Sequence, residues 1–204
     1  MLLQINSDNP EGRKIRQVAE TLQSGGIVIY PTDTVYAIGC DIDDHKAFER
    51  ICRLRRLDPN KATLSFICRD ISQVASYAAQ IDNETFRLIH RNLPGPFTFL
   101  LRSGHHMPRH LKNRKKTFGF RIPNNPIAQA IVDEMGRPLL SASLRLDDQV
   151  REYETDPSLI HDDYQKLVDL VIDGGPGGQI ASTVVDCLEE EPLIIRQGVG
   201  QLRL

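Results

Sequence analysis

The segment Tyr30-Pro31-Thr32-Asp33-Thr34-Val35-Tyr36-Ala37-Ile38-Gly39-Cys40-Asp41 offers the first side chains with chemistry in them. Thr32 and Thr34 stand two apart, so an extended chain presents both hydroxyls on one side, where they can donate to a carboxylate or a phosphate. Threonines along an ordinary strand edge would look the same. A second candidate is the turn Gly174-Gly175-Pro176-Gly177-Gly178, which follows a β-branched run and precedes Ser182-Thr183. It lacks the lysine of a P-loop, and the chain has no G-x-G-x-x-G. Its amides and the two hydroxyls could still approach an anion, or the turn could be a plain surface connection. Cys40, Cys52, Cys68 and Cys187 form no C-x-x-C pair. They read as free thiols, and Cys52 and Cys68 in particular as small buried apolar residues. His105, His106 and His110 match no standard metal spacing.

Charge is distributed unevenly behind a formal net charge of −2. No acid occurs from Thr85 to Val132, while Lys or Arg occupies positions 87, 91, 102, 109, 112, 114, 115, 116 and 121. Between Ser141 and Asp173 nine acids oppose three bases. An anion-binding face is expected despite the bland total. With 204 residues, 40% of them apolar and 25% charged, the chain suits one compact folded domain, and no apolar run is long enough to cross a membrane. Met1 to Pro10 carries no basic stretch followed by an apolar one, so the expected location is the cytosol.

The elements that must position these residues alternate. Asn9-Pro10 predicts a helix start, with Ile15, Val18, Ala19 and Leu22 at helical spacing up to Gly25-Gly26. Ile27 to Tyr30 predicts a buried strand; Asp43 or Asp44 caps a helix that turns Ala47, Phe48, Ile51 and Leu54 inward. Leu64 to Cys68 reads as a strand, Asp70 to Ala79 and Asn83 to Asn92 as helices, and Phe97 to Leu101 and Thr117 to Ile122 as strands. Asn125-Pro126 opens a helix holding Ile127, Ala130 and Ile131. Pro138 to Leu144, Val168 to Ile172, Thr183 to Cys187 and Leu193 to Arg196 complete a strand-rich second half, and residues 145–157 read as an exposed acidic excursion. The sum is a mixed α/β domain.

Four blocks in order, Pro31-Thr32-Asp33-Thr34-Val35-Tyr36, Pro94-Gly95-Pro96-Phe97-Thr98, Phe120-Arg121-Ile122-Pro123 and Ser182-Thr183-Val184-Val185-Asp186, resemble the motifs of the YrdC/YciO family. Each is weak alone, and together they span about residues 12–200. The arginine-rich helix and Ser141-Ala142-Ser143 look more like the YciO branch than the threonylcarbamoyl-AMP synthases proper. The resemblance implies a single domain, a twisted mixed sheet with flanking helices around a basic concave cavity. It also implies a nucleotide-binding protein with synthase-type activity, turning threonine, bicarbonate and ATP into threonylcarbamoyl-AMP and pyrophosphate for transfer RNA modification, with magnesium arriving on the ATP. Carried over by position, Thr32, Thr34, Arg121 and Ser182 resemble the amino-acid pocket, while Arg55, Lys61, Ser141, Ser143 and Arg196 fall on the nucleotide side. Where synthases carry K-x-R this chain has Arg53-Leu54-Arg55-Arg56-Leu57; S-x-N is Ser141-Ala142-Ser143; the family's histidine after R-x-P is Asn125. These departures imply reduced or altered activity. Transfer of this type depends on alignment and on cations at the phosphate, so the lack of a Ser-His-Asp or Cys-His set is no obstacle.

The basic run supports a different expectation. Arg109, Lys112, Arg114, Lys115 and Lys116 could neutralise phosphates of double-stranded RNA using the same concave charge. The chain has no tryptophan and no aromatic cluster for stacking single strands.

Overall fold

The structure is a computed structural model that describes residues 1–59, 62, 64–112, 116–144, 155–189 and 191–204. Its centre is a ten-stranded mixed sheet, among the described residues, in the order β1-β8-β2-β3-β7-β4-β6-β5-β9-β10. In chain order these are β1 (Leu2–Gln4), β2 (Val28–Tyr30), β3 (Ala37–Asp41), β4 (Ser65–Ile67), β5 (Phe97–Arg102), β6 (Thr117–Arg121), β7 (Leu139–Ser143), β8 (Leu170–Asp173), β9 (Thr183–Asp186) and β10 (Leu193–Arg196). The helices are α1 (Gly12–Gln23), α2 (His45–Leu54), α3 (Ile71–Tyr77), α4 (Asn83–Asn92), α5 (Pro126–Met135) and α6 (Pro157–Tyr164).

Helix starts follow local chemistry. Asp44, Asp70, Asp82 and Asn125 each accept a bond from a backbone amide of the first turn they cap, and Pro126 sits at the first position of α5. Asn125 is thus occupied as a cap, its Oδ1 3.0 Å from Ala128 N. The expected start of α1 is displaced. Asn6 Oδ1 takes the amides of Asp8 and Asn9, which closes a turn, and the helix begins at Gly12. Ile15, Val18, Ala19 and Leu22 are nevertheless its buried face.

Period-2 alternation divides the sheet. Phe66, Phe97, Phe99, Phe118, Phe120, Leu140 and Val185 point to one face, where α2, α3, α4 and α6 contribute Phe48, Ile51, Val74, Ile89 and Ile160 to a continuous core. The phenyl rings form a chain, with centroids 5.9 Å apart for Phe97–Phe99, 6.0 Å for Phe99–Phe120 and 5.1 Å for Phe66–Phe118. On the other face α1 and α5 pack together and cover Val28, Tyr30, Ala37, Ile67, Leu139, Leu170 and Ile172. They do not reach β5, β6 and β9. That part of the face lies open.

The folded unit runs to both ends of the chain. β1 pairs with β8 ahead of residue 12, and beyond residue 200 Arg203 N donates to Asn92 Oδ1 at 2.9 Å. Strands β1 and β3 and helix α6 are elements beyond those anticipated. Cys40, Cys52 and Cys68 are buried free thiols, as expected, and burial pushes the Cys52 thiol up to about 11.

Candidate functional site

The open half-face holds a hollow of about 470 Å³. Its floor follows from register: Ser141 pairs with Ser65, Ser65 with Gly119 and Gly119 with Leu100, one row across four strands. Beside this row stand Ser143, Ile67, Thr98, Arg121 and Val184, and the rim adds Arg55, Asp58, Leu57, Ser182, Ile195 and Arg196. Serine, threonine and glycine keep the floor low where the opposite face has phenylalanines. Residues from position 35 to 196 therefore meet in one place.

Arg121 ends β6 at the wall, 7% exposed. Its Nη2 donates to Asp33 Oδ1 at 2.6 Å and to Thr34 Oγ1 at 2.9 Å, and Asp33 Oδ2 accepts from Asn124 N at 3.0 Å. Residues 33–35 bend rather than extend. The two threonine hydroxyls still meet, 3.1 Å apart, because Thr32 Oγ1 donates to Val35 O at 2.7 Å and accepts from Thr34 N. Thr32 is therefore a turn former behind Thr34, with its proton already committed. Neither threonine lies on the wall of the hollow; Thr34 reaches it through Arg121.

The glycine-rich turn packs on this loop. Gly178 N donates to Thr34 O at 2.7 Å and Gly177 N to Thr155 O at 2.7 Å. Gly175 N bonds Asp173 Oδ1, and Gly174 N bonds the Tyr36 hydroxyl, which itself donates to Gly175 O at 2.8 Å. Burial pushes the Tyr36 phenol up to about 12, so it stays a donor. A Cβ on Gly178 would collide with the Thr34 carbonyl, and one on Gly177 would sit 2.6 Å from the Tyr36 ring. The amides are spent on the protein, so this turn is a clamp on residues 32–36 and not an anion cradle.

Ser182 ends the opposite wall, 4% exposed. Its hydroxyl is 2.8 Å from Thr98 Oγ1, and Arg196 Nη2 donates to Ser182 O at 2.9 Å and to Ser182 Oγ at 3.3 Å. Arg196 faces inward because β10 carries a bulge: Ile194 opposes Val185 and Arg196 opposes Val184, leaving Ile195 as the extra residue. Unbulged pairing would put Ile195 opposite Val184 and turn Arg196 to the other face.

Ser141 is held from below. The buried Tyr30 hydroxyl donates to Ser141 Oγ at 2.6 Å, and desolvation keeps Tyr30 protonated. The remaining acceptor for Ser141's own proton, Ile38 O, is 3.4 Å away. Arg55 follows α2 as its C-cap, donating to Leu144 O at 3.0 Å. Among the described residues, Arg55, Arg121 and Arg196 are the cations of the hollow. Lys61 lies outside the described residues.

The described part of the basic run lies apart from the hollow. Arg109 belongs to a 3-10 turn, Arg109–Leu111, whose His110 ring lies 5.2 Å from His45 and 5.8 Å from Phe48 of α2. Arg109, Lys112 and Lys116 do not line the hollow, which corrects the expectation that an RNA would use the same concave charge; Arg114 and Lys115 lie outside the described residues. Asp33, Thr98, Ser65 and Tyr30 are site residues that sequence reasoning did not single out. Asp33 lies inside the quoted hydroxyl motif, and a carboxylate between two threonines is the signal that went unused.

Among the described residues no group of three or more His, Cys, Asp or Glu could hold a metal ion, and Asp58 is the acid on the wall. A divalent ion carried on ligand phosphates requires no such cage.

This fold and hollow define an α/β protein with a polar hollow on the part of its sheet that α1 and α5 leave uncovered. The profile of the Sua5, YciO and YrdC proteins, described as "Telomere recombination", matches residues 20–198. "Uncharacterized protein YciO" of Escherichia coli (strain K12) is 44% identical over 201 residues, covering 98% of this chain and 96% of the relative. The crystal structure of E. coli YciO superposes with a TM-score of 0.91 at 43% identity, over 98% of this chain and 97% of that one. A threonylcarbamoyl-AMP synthase of Alkalilimnicola ehrlichii is 34% identical over 67% of this chain and 70% of its own. P. abyssi Sua5 complexed with L-threonine has a TM-score of 0.87 at 26% identity, over 100% of this chain and 62% of that chain. The chain belongs to the Sua5/YciO/YrdC family.

Proposed function

We propose that the hollow binds an amino acid and a nucleotide side by side and supports threonylcarbamoyl-AMP synthase-type chemistry, altered at the nucleotide end. The observation that carries this reading is the convergence of Arg55, Arg121 and Arg196 with the hydroxyls of Ser65, Thr98, Ser141, Ser143 and Ser182 on one hollow. Its volume suits a nucleotide-sized ligand. A synthase from A. ehrlichii and a threonine-bound Sua5 among the relatives support the same reading.

In the proposed reaction the amine of threonine takes up bicarbonate with loss of water, giving a carbamate. A carbamate oxygen then attacks the α-phosphorus of ATP, and pyrophosphate leaves with the electrons of the broken P–O bond. No protein nucleophile is needed. Arg121 offers N–H donors to the amino-acid carboxylate, with Ser182 and Thr98 as neighbouring hydroxyls. Arg196 and Arg55 meet phosphate charge, and Ser141, its hydroxyl oriented by Tyr30, donates to an oxygen of the nucleotide. Magnesium on the ATP phosphates supplies charge neutralisation. The adenylate product would pass its threonylcarbamoyl group to an adenosine of transfer RNA. Serine at position 143 in place of asparagine removes the paired donor and acceptor of an amide and points to weaker nucleotide discrimination.

Calorimetry with ATP, AMP and L-threonine, singly and together, tests the site, and pyrophosphate release from threonine, bicarbonate and Mg-ATP tests the reaction. Adenylate binding with slow pyrophosphate release is expected. No release above background together with no adenylate binding would overturn the proposal. Duplex-RNA binding through Lys112 and Lys116 would be a separate property, and salt-dependent binding lost in Lys112→Glu/Lys116→Glu would establish it.

A further inference from the structure

Arg121 brings donors to the hollow without bringing net charge. Asp33 Oδ1 lies 2.6 Å from Nη2, and both side chains are 9% exposed. With so little water between and around them, the two charges cancel for a ligand a few ångströms away. Asp33 itself is not on the wall; it stands behind Arg121, its second oxygen held by Asn124 N. Arg121 Nε is buried without a partner, and among the described residues no bond engages Nη1. Nε is enclosed by the protein, so the hydrogen-bonding capacity left for whatever lies against the wall is that of Nη1.

A compensated pair of this kind favours some ligands over others. A carboxylate belonging to a zwitterion accepts the guanidinium donors while its own ammonium balances it, so a neutral ligand meets a neutral site. A plain carboxylate or a phosphate gives up hydration and finds no uncompensated counter-charge there.

We propose that Asp33, acting through Arg121, makes this end of the hollow selective for zwitterionic α-amino acids over plain carboxylates and phosphate. Asp33 is a positioning and charge-setting residue, not a catalytic one. The proposal rests on the reading of the hollow as an amino-acid-plus-nucleotide site.

The test is calorimetry with L-threonine, 3-hydroxybutyrate, which is the same acid without its amine, and inorganic phosphate. The wild-type protein is expected to prefer threonine to 3-hydroxybutyrate by about tenfold or more, with a threonine affinity that changes little with salt. Equal binding of the two acids overturns the proposal with no variant needed. Asp33→Asn keeps an oxygen for Asn124 N and frees the charge of Arg121, so the preference should collapse and phosphate affinity should rise by about tenfold. Asp33→Asn/Arg121→Gln, neutral again, should lose that gain in phosphate binding. A preference unchanged in Asp33→Asn, or a phosphate gain kept in the double variant, sinks the proposal alone. A wild-type protein that binds neither threonine nor ATP sinks the reading of the site and this proposal with it.

Discussion

Along β4, β5 and β6 the residues facing the helices are Phe66, Phe97, Phe99, Phe118 and Phe120, and those facing the hollow are Ser65, Ile67, Thr98, Leu100, Gly119 and Arg121. The same three strands thus carry a buried chain of phenyl rings on one side and the floor of the hollow on the other. A strand needs one buried face to hold its register, and here the aromatic face supplies it. The other face is free to carry residues chosen for a ligand. Stability and recognition are separated by one residue of sequence.

Four substitutions and one pH experiment can break or sharpen that separation. Phe120→Ala on the packed face should cost about 3–5 kcal/mol in denaturant unfolding, since it opens a cavity in the phenyl chain. Gly178→Ala drives a methyl into the Thr34 carbonyl; about 1–3 kcal/mol of stability should go, together with most threonine affinity, because the loop that holds Arg121 is displaced. Arg196→Gln should reduce ATP affinity by about tenfold in calorimetry, with a smaller loss of threonine affinity and about 1 kcal/mol of stability, because its bonds to Ser182 go with it. Tyr30→Phe removes the donor beneath Ser141 and should cost about 1 kcal/mol of stability, with a smaller loss in nucleotide binding than Arg196→Gln.

The smallest effect is expected from His110, which packs against α2 remote from the hollow. Partial burial, and secondarily the nearby His45, lower its pKa from 6.5. The folded state therefore binds this proton less readily than the unfolded chain, and stability falls as pH drops below about 6.5. Solvent screening keeps the loss small, and it should be absent from melting curves of His110→Phe. A large acid effect on stability that survives in His110→Phe would place the sensitive group elsewhere.

Much of the architecture is readable from local pattern. The caps at Asp44, Asp70 and Asn125-Pro126 and the inward faces of α1 and α2 are short-range statements, and they hold in three dimensions. β3 escaped because Ala37-Ile38-Gly39-Cys40-Asp41 is buried on both faces and so lacks alternation. Asp41 inside it looks like a surface residue until Arg137 is seen to pair with it. α6 escaped because Asp156-Pro157, its cap and first residue, continues an acidic stretch that reads as loop. For the site, the family resemblance pointed to Arg55, Arg121, Ser141, Ser143, Ser182 and Arg196, and the fold brings them to one hollow. Partnership did not show. That Thr32 spends its proton on Val35, that Asp33 neutralises Arg121 and that the glycines grip a neighbouring loop are facts about which groups meet, and linear spacing does not encode them.

Strand order has a consequence for how the protein is made. β9 docks beside β5 and β10 beside β9, carrying the Ser182 and Arg196 end of the hollow, whereas Arg55 leaves the ribosome long before them. A nascent or prematurely terminated chain that stops short of Leu193 can assemble most of its core and still lack a wall of the hollow. The hollow is therefore complete only once residues 193–196 have joined the sheet.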